Sequence, residues 1–254
     1  MKILLPCLAL SFCLCASVKA AELTRNEVTQ LLATATPTQP ANLRRKDLTD
    51  LDVSGLDFTH TDLWGADLRR ANFTHATLSG LNLDLTVMSK INLSHANLEN
   101  TSIFGVHMGG ANLTHAKLAG SRFIANLDRS TLSYADLNHA NWGVDMQNQP
   151  MGLMRVSLNN VDLSYANASY ANLTRALLKH ANLSHAKLTH ALLTGADLAG
   201  ANLSYADLTG ADLSDCQLED TDFSHAIITN TLFNKVKNKN TAKGLSTSKA
   251  PTRP

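Results

Sequence analysis

Apolar side chains recur along this chain with a period of five. Between Ala171 and Asp215 the sequence reads ANLTR, ALLKH, ANLSH, AKLTH, ALLTG, ADLAG, ANLSY, ADLTG, ADLSD. The first place is Ala, the third is Leu, and the second is mostly Asn or Asp. The fourth is often Ser or Thr, and the fifth varies. Five matches neither the 3.6-residue helix nor the two-residue strand, so the pattern predicts a stacked repeat in which neighbours share one core. The third place is apolar at all 17 pentads from Leu43 to Phe123. Leu127 then follows Phe123 by four residues, and Leu132, Leu137 and Trp142 continue the new frame. Asp145–Pro150 breaks the pattern and reads as a six-residue insertion. The frame resumes at Leu153 and runs to Phe233, with Ala168 undersized.

The flanks follow other rules. Ile3 to Val18 is apolar behind Lys2, and Val18-Lys19-Ala20 offers a cleavage site, so residues 1–20 read as a signal peptide cut after Ala20. The run is short for a membrane span. Cys7, Cys13 and Cys15 lie inside it without the small-residue context of lipid attachment. An uncleaved hydrophobic helix and a lipoprotein are the alternatives. After cleavage only Cys216 is left, at an Ala place, where a buried small side chain is expected and no internal disulfide can form. Residues 21–40 predict a covering helix and linker. Thr24 and Glu27 make a capping box, Leu23 and Val28 a hydrophobic staple, and Val28, Leu31 and Leu32 one apolar face. Pro37 and Pro40 end it. Residues 236–254, with lysines and no acid, read as a basic disordered tail.

The pentads closely resemble the pentapeptide-repeat family motif, A(D/N)LXX, over nearly all of residues 41–235. That resemblance implies an all-β fold: a right-handed quadrilateral parallel β-helix, one pentad per side, about 20 residues per coil. With coils roughly 4.8 Å apart the rod would be about 45 Å long. The frame slip near Ile124 and the insertion depart from an unbroken array and leave open how the two halves align.

Charge narrows the function. The array from Ala41 to Asn234 carries 19 acidic and 13 basic residues, too mild a balance to imply a nucleic-acid partner. No nucleophile elbow, P-loop, zinc motif or dinucleotide fingerprint occurs, so no enzyme activity, metal or cofactor is expected. The Asn-x-Ser/Thr triplets and the Asp series follow from the repeat and read as turn-forming residues.

Nine of the ten histidines occupy the outward fifth place. On a 20-residue coil His75, His95 and His115 form one ladder, and Tyr165, His185, Tyr205 and His225 a second. Ring stacking between coils explains both. A pH-responsive surface is a further reading, with stability or association changing below about pH 6. The insertion, Asp145, Met146, Gln147, Asn148, Gln149 and Pro150, with Trp142 before it, is a candidate for a specific contact. The leading expectation is a non-catalytic, exported scaffold that binds an unknown protein partner in the periplasm or outside the cell. The alternatives are a DNA-mimic rod that binds a type II topoisomerase, as the resemblance implies for some members, and a polysaccharide-active β-helix enzyme. A homodimer through the terminal coil around Phe223, Ile228 and Phe233, and weak contact of the tail with anionic surfaces, complete the expected partners.

Overall fold

The computed structural model describes residues 23–144 and 154–245. Helix α1 spans Arg25–Ala33, and four strands follow: β1 (Ala41–Asn42) paired with β2 (Thr61–Asp62), and β3 (Ser102–His107) paired with β4 (Arg122–Asn126), both in parallel. The remaining array is held by single parallel bridges between second-place residues one coil apart, such as Asp47↔Asp67, Asn72↔Asn92 and Asn182↔Asn202. The chain winds as a four-sided, right-handed β-helix. We number the sides by their first core residues: Leu43, Leu48, Val53 and Phe58.

Backbone accounting explains the motif. The first-place N–H closes a turn onto the preceding third-place carbonyl (Leu51 N to Leu48 O, 3.2 Å). The second-place N–H donates to the coil before (Asp67 N to Lys46 O, 2.9 Å). The third and fifth donate to the coil after (Leu48 N to Asp67 O, 2.8 Å; Asp50 N to Arg69 O, 3.0 Å). Only the fourth-place N–H lacks a backbone acceptor, and Asn or Asp at the second place supplies one. Thr49 N donates to Asp47 Oδ1 at 3.1 Å and Ser54 N to Asp52 Oδ1 at 2.9 Å. This fixes the A(D/N)L pattern, because a buried donor without a partner is costly. The fifth place turns the corner with φ near +60°, as at His75 (59°) and Tyr165 (60°). First and third places fill the core: Ala96, Leu98, Ala181 and Leu183 are buried. Each buried Leu contributes about 1.5–3 kcal/mol before chain entropy is counted.

The ends differ from each other. Thr24 Oγ1 accepts from Glu27 N at 3.3 Å and Glu27 Oε2 accepts from Thr24 N at 2.7 Å, so the capping box forms. Val28 is fully buried, and Leu23 and Leu32 pack on the first coil. Leu31 departs from the expected face and is 38% exposed, because a nine-residue helix lying on a narrow coil end offers a narrow contact. Arg25 pins the helix by donating to Asp52 O and Ser54 O at 3.0 and 2.8 Å. At the other end the coil runs past the expected boundary. Lys237 bridges Gln217, Lys243 bridges Asp222, and Leu245 is buried. Residues 236–245 are therefore the last winding and not part of a disordered tail. Val236, Ala242 and Leu245 carry its apolar contacts at an irregular spacing that the five-residue pattern does not follow. Residues 246–254 lie outside the described residues.

Both irregularities fall at one corner, between the first and second sides. In β4 the chain passes from Phe123 to Leu127 without a left-handed corner residue. Gly105 of β3 is bulged out between the pairs Phe104↔Ile124 and Val106↔Ala125. Ile124 and Ala125 are buried as a result. One coil later Trp142 on the first side is followed on the second side by Leu158, which hydrogen-bonds to Leu177 O. Sixteen residues thus span a step that elsewhere takes five, an excess of eleven and not six. Leu153, the expected point of resumption, lies outside the described residues.

Candidate functional site: a ringed edge

The corner between the third and fourth sides carries one continuous stack of eight rings. His75, His95, His115, Tyr134, Tyr165, His185, Tyr205 and His225 follow one another with centroids 4.6–4.9 Å apart and ring planes within 21° of parallel. The two ladders expected from spacing are thus one ladder, and Tyr134 joins them. The link was hidden because His115 and Tyr134 are 19 residues apart and Tyr134 and Tyr165 are 31 apart. The slip and the insertion sit at another corner, so the third side continues through both (Asn112↔Thr131, Thr131↔Asp162). The sequence did carry a signal. Every pentad on this side after Ser54-Gly55 ends in Ser/Thr then His/Tyr, whereas the fourth side shows that ending only at Thr59-His60, Ser169-Tyr170 and Thr189-His190.

Conformation makes the ring row unusual. Left-handed φ favours Gly, Asn and Asp. Other corners mix those residues, such as Gly65, Asp50 and Asn160, with Arg45, Leu85, Lys90 and Arg129, and none repeats one side-chain class through every coil. Eight rings in succession accept that strain, and stacking offsets it by about 0.5–1.5 kcal/mol per aromatic pair. Tyr134, Tyr165 and Tyr205 remain 51%, 49% and 53% exposed. Since ring faces meet along the stack, the hydroxyl and imidazole edges face outward. Beside them the second-place amides form their own ladder: Asn72 Nδ2 donates to Asp52 Oδ1 at 3.1 Å and Asn182 Nδ2 to Asp162 Oδ1 at 3.0 Å. A shorter stack, His139–Tyr170–His190, lies one corner over and ends where His190 covers Gly210.

Trp142 does not belong to any surface site. It is fully buried, stacks on Phe123 at 4.7 Å, and donates from Nε1 to Ser121 Oγ at 3.0 Å. It occupies a third place, which always points inward. Asp145, Met146, Gln147, Asn148, Gln149 and Pro150 lie outside the described residues. Cys216 is buried, donates from Sγ to Leu193 O at 3.0 Å, and burial pushes its thiol up to about 12. Among the described residues no His, Cys, Asp and Glu side chains gather as a metal-ligand set. Hydrogen bonds hold several carboxyls below their ordinary range. The backbone N–H and hydroxyl of Ser54 do so at Asp52, and the hydroxyls and N–H groups of Thr59 and Ser224 at Asp57 and Asp222.

A four-sided β-helix with one pentad per side defines the class. The pentapeptide-repeat family model matches eight copies across residues 52–89, 91–124, 157–195 and 191–230, more than half of the chain. The chain belongs to the pentapeptide-repeat family. It is 30% identical to HetL, a pentapeptide repeat protein involved in heterocyst differentiation regulation from the cyanobacterium Nostoc sp. strain PCC 7120. That match covers 87% of this chain and 96% of HetL, with a TM-score of 0.38. QnrB1, a plasmid-mediated fluoroquinolone resistance protein, is 20% identical over 74% of this chain and 92% of its own, with a TM-score of 0.57, and shares the fold. Rfr23 from the cyanobacterium Cyanothece 51142 is 31% identical over 43% of this chain and 64% of its own, with a TM-score of 0.31. No curated protein sequence matches the chain.

Proposed function

We propose that the protein is a non-catalytic scaffold, exported to the periplasm or beyond, that holds a protein partner along its ringed edge. The carrying observation is the eight-ring stack, placed where the backbone would favour Gly or Asn and left half exposed. Rigid amphipathic rings give large contact area at low entropy cost, which is why Tyr concentrates at interfaces. The regular backbone presents those rings without further ordering on binding. Export rests on the leader-like residues 1–20. A homodimer through the last coil is part of the same reading: Ile228, Phe233 and Val236 are only partly covered, and Ile227 and Leu232 stand half exposed. Contact of the basic C-terminal residues with anionic surfaces is a weaker element of it. The DNA-mimic reading is less favoured because the array's charge is mild.

The test has two parts. Thiol titration in denaturant separates the leader readings: a chain cut after Ala20 shows one cysteine, and an intact chain shows all four. A tagged protein and its Tyr134→Asn/Tyr165→Asn/His185→Asn variant are then recovered from cross-linked envelope fractions. A partner present with the first and absent with the second is the expected result. Identical partners from both would remove the ringed edge as the contact.

A further inference from the structure

The backbone accounting exposes a second site, on the second side, away from the rings. A fourth-place N–H needs an oxygen from a side chain, and where the second place is not Asn or Asp a neighbouring coil can lend one. Asp84 Oδ1 accepts from Phe104 N at 2.8 Å, and Asp128 Oδ1 accepts from Asn159 N at 2.9 Å. Asn159 Oδ1 in turn accepts from Lys179 N at 3.1 Å. In two successive coils of the second side neither device operates. Val87 and His107 stand at the second place, and the N–H groups of Ser89 and Gly109 have no acceptor among the described residues.

Ser89 and Gly109 both line a recess of about 430 Å³. Gly109 and Gly110 leave one coil without side chains there, between Lys90 on the coil before and Arg129 on the coil after. The Lys90 stem lies 3.5 Å from where a Cβ on Gly110 would sit, and the His107 imidazole lies 3.2 Å from the equivalent point on Gly109. Neither Lys90 nor Arg129 has a carboxylate partner within ion-pair distance among the described residues, whereas Arg44, Arg69 and Arg70 are each paired. Asp128 also borders the recess, with Oδ1 taken by Ser157 Oγ at 2.6 Å and by Asn159 N.

We infer that this recess binds a tetrahedral oxyanion, a phosphate or sulfate group. Its oxygens take the role that Asp84 and Asp128 play for their neighbours, accepting from Ser89 N and Gly109 N while Lys90 and Arg129 balance the charge. Adjacent backbone N–H groups beside cations form a concave anion site, and charge-assisted hydrogen bonds are the strong ones. With Asp128 counted the lining is net positive by one, and a tetrahedral anion offers more acceptor oxygens than a carboxylate to the two N–H groups and two cations.

The test uses the full chain, labelled with ¹⁵N and titrated with inorganic phosphate, sulfate or acetate at constant ionic strength set by chloride. The Ser89 and Gly109 amide resonances should move and saturate with phosphate and sulfate, and acetate should bind about tenfold more weakly. Lys90→Ala/Arg129→Ala should weaken phosphate binding by about tenfold or more. Val87→Asn/His107→Asn restores the internal acceptor at both coils. It should keep or raise the melting temperature and abolish the phosphate response. Amide shifts confined to other residues, acetate binding as tight as phosphate, or an undiminished response in the well-folded Val87→Asn/His107→Asn variant would each overturn the assignment.

Discussion

The third side and the corner between the first and second sides obey the same backbone rule and use it differently. Along the third side every fourth place from Ser54 to Ser224 is Ser or Thr, and every fifth place after Gly55 is His or Tyr. At the irregular corner the chain drops a residue at Ile124 and adds eleven after Trp142, yet Trp142, Val144 and Val156 stay buried. The fold asks for small and apolar residues inward, and it favours an acceptor at the second place without requiring one in every coil, as Val87 and His107 show. It tolerates a lost or lengthened corner because each coil is held by its neighbours on the other three sides. Uniformity of the fourth and fifth places is therefore not required for folding, and it is confined to this one edge.

The largest effect is expected in the core of the irregular corner. Trp142→Ala removes the stack on Phe123 and leaves a cavity, and should cost about 3–5 kcal/mol in chemical denaturation. A smaller loss would mean that this corner is loosely packed. On the ringed edge, Tyr165→Asn keeps a residue that accepts left-handed φ and removes two stacked pairs. The two pairs are worth about 0.5–1.5 kcal/mol each, more than the φ strain that Asn relieves, so a net loss of about 1 kcal/mol is expected. No change would mean that the stack is not held in solution. The acceptor rule is sharpened by a matched pair at second places: Asn72→Ala strands the Thr74 N–H and should cost about 1 kcal/mol. Val87→Ala strands nothing further and should cost less. Acid gives the smallest effect. The carboxyls of Asp52, Asp57 and Asp222 are held below the ordinary value of 3.8, so their contribution is complete above that value. It is lost as pH falls through their lower folded values. The melting temperature should decline on that limb, and replacing all three by Asn should make the decline shallower.

Much of this was legible in the residues. The third places name the core from Leu43 to Phe223, and Thr24 with Glu27 names the helix start. Trp142 sat at a third place, so its burial was readable once the repeat was trusted over the general habit of Trp at contacts. The length of the break was not readable. A period of five records position only within a pentad, and excesses of six and eleven leave the same frame. Hydrogen bonds between Leu158 and Leu177, and between Leu127 and Ser157, distinguish them. The last winding was hidden because Lys237 and Lys243 occupy bridging places whose side chains face water, where any polar residue serves. The recess at Ser89 and Gly109 depends on which coils lack a lent acceptor, and that requires knowing which residues stack.

The third-side edge is unbroken because both departures from regularity are absorbed at another corner. Cysteine cross-linking tests this most directly. Residues in equivalent places on adjacent coils lie about 4.8 Å apart, within disulfide reach. Tyr134→Cys/Tyr165→Cys should therefore close a disulfide on mild oxidation, seen by mass spectrometry. Tyr134→Cys/Asn160→Cys, the pair that a six-residue insertion would align, should stay reduced. A disulfide in the second pair and none in the first would contradict the register, and with it the continuity of the ringed edge.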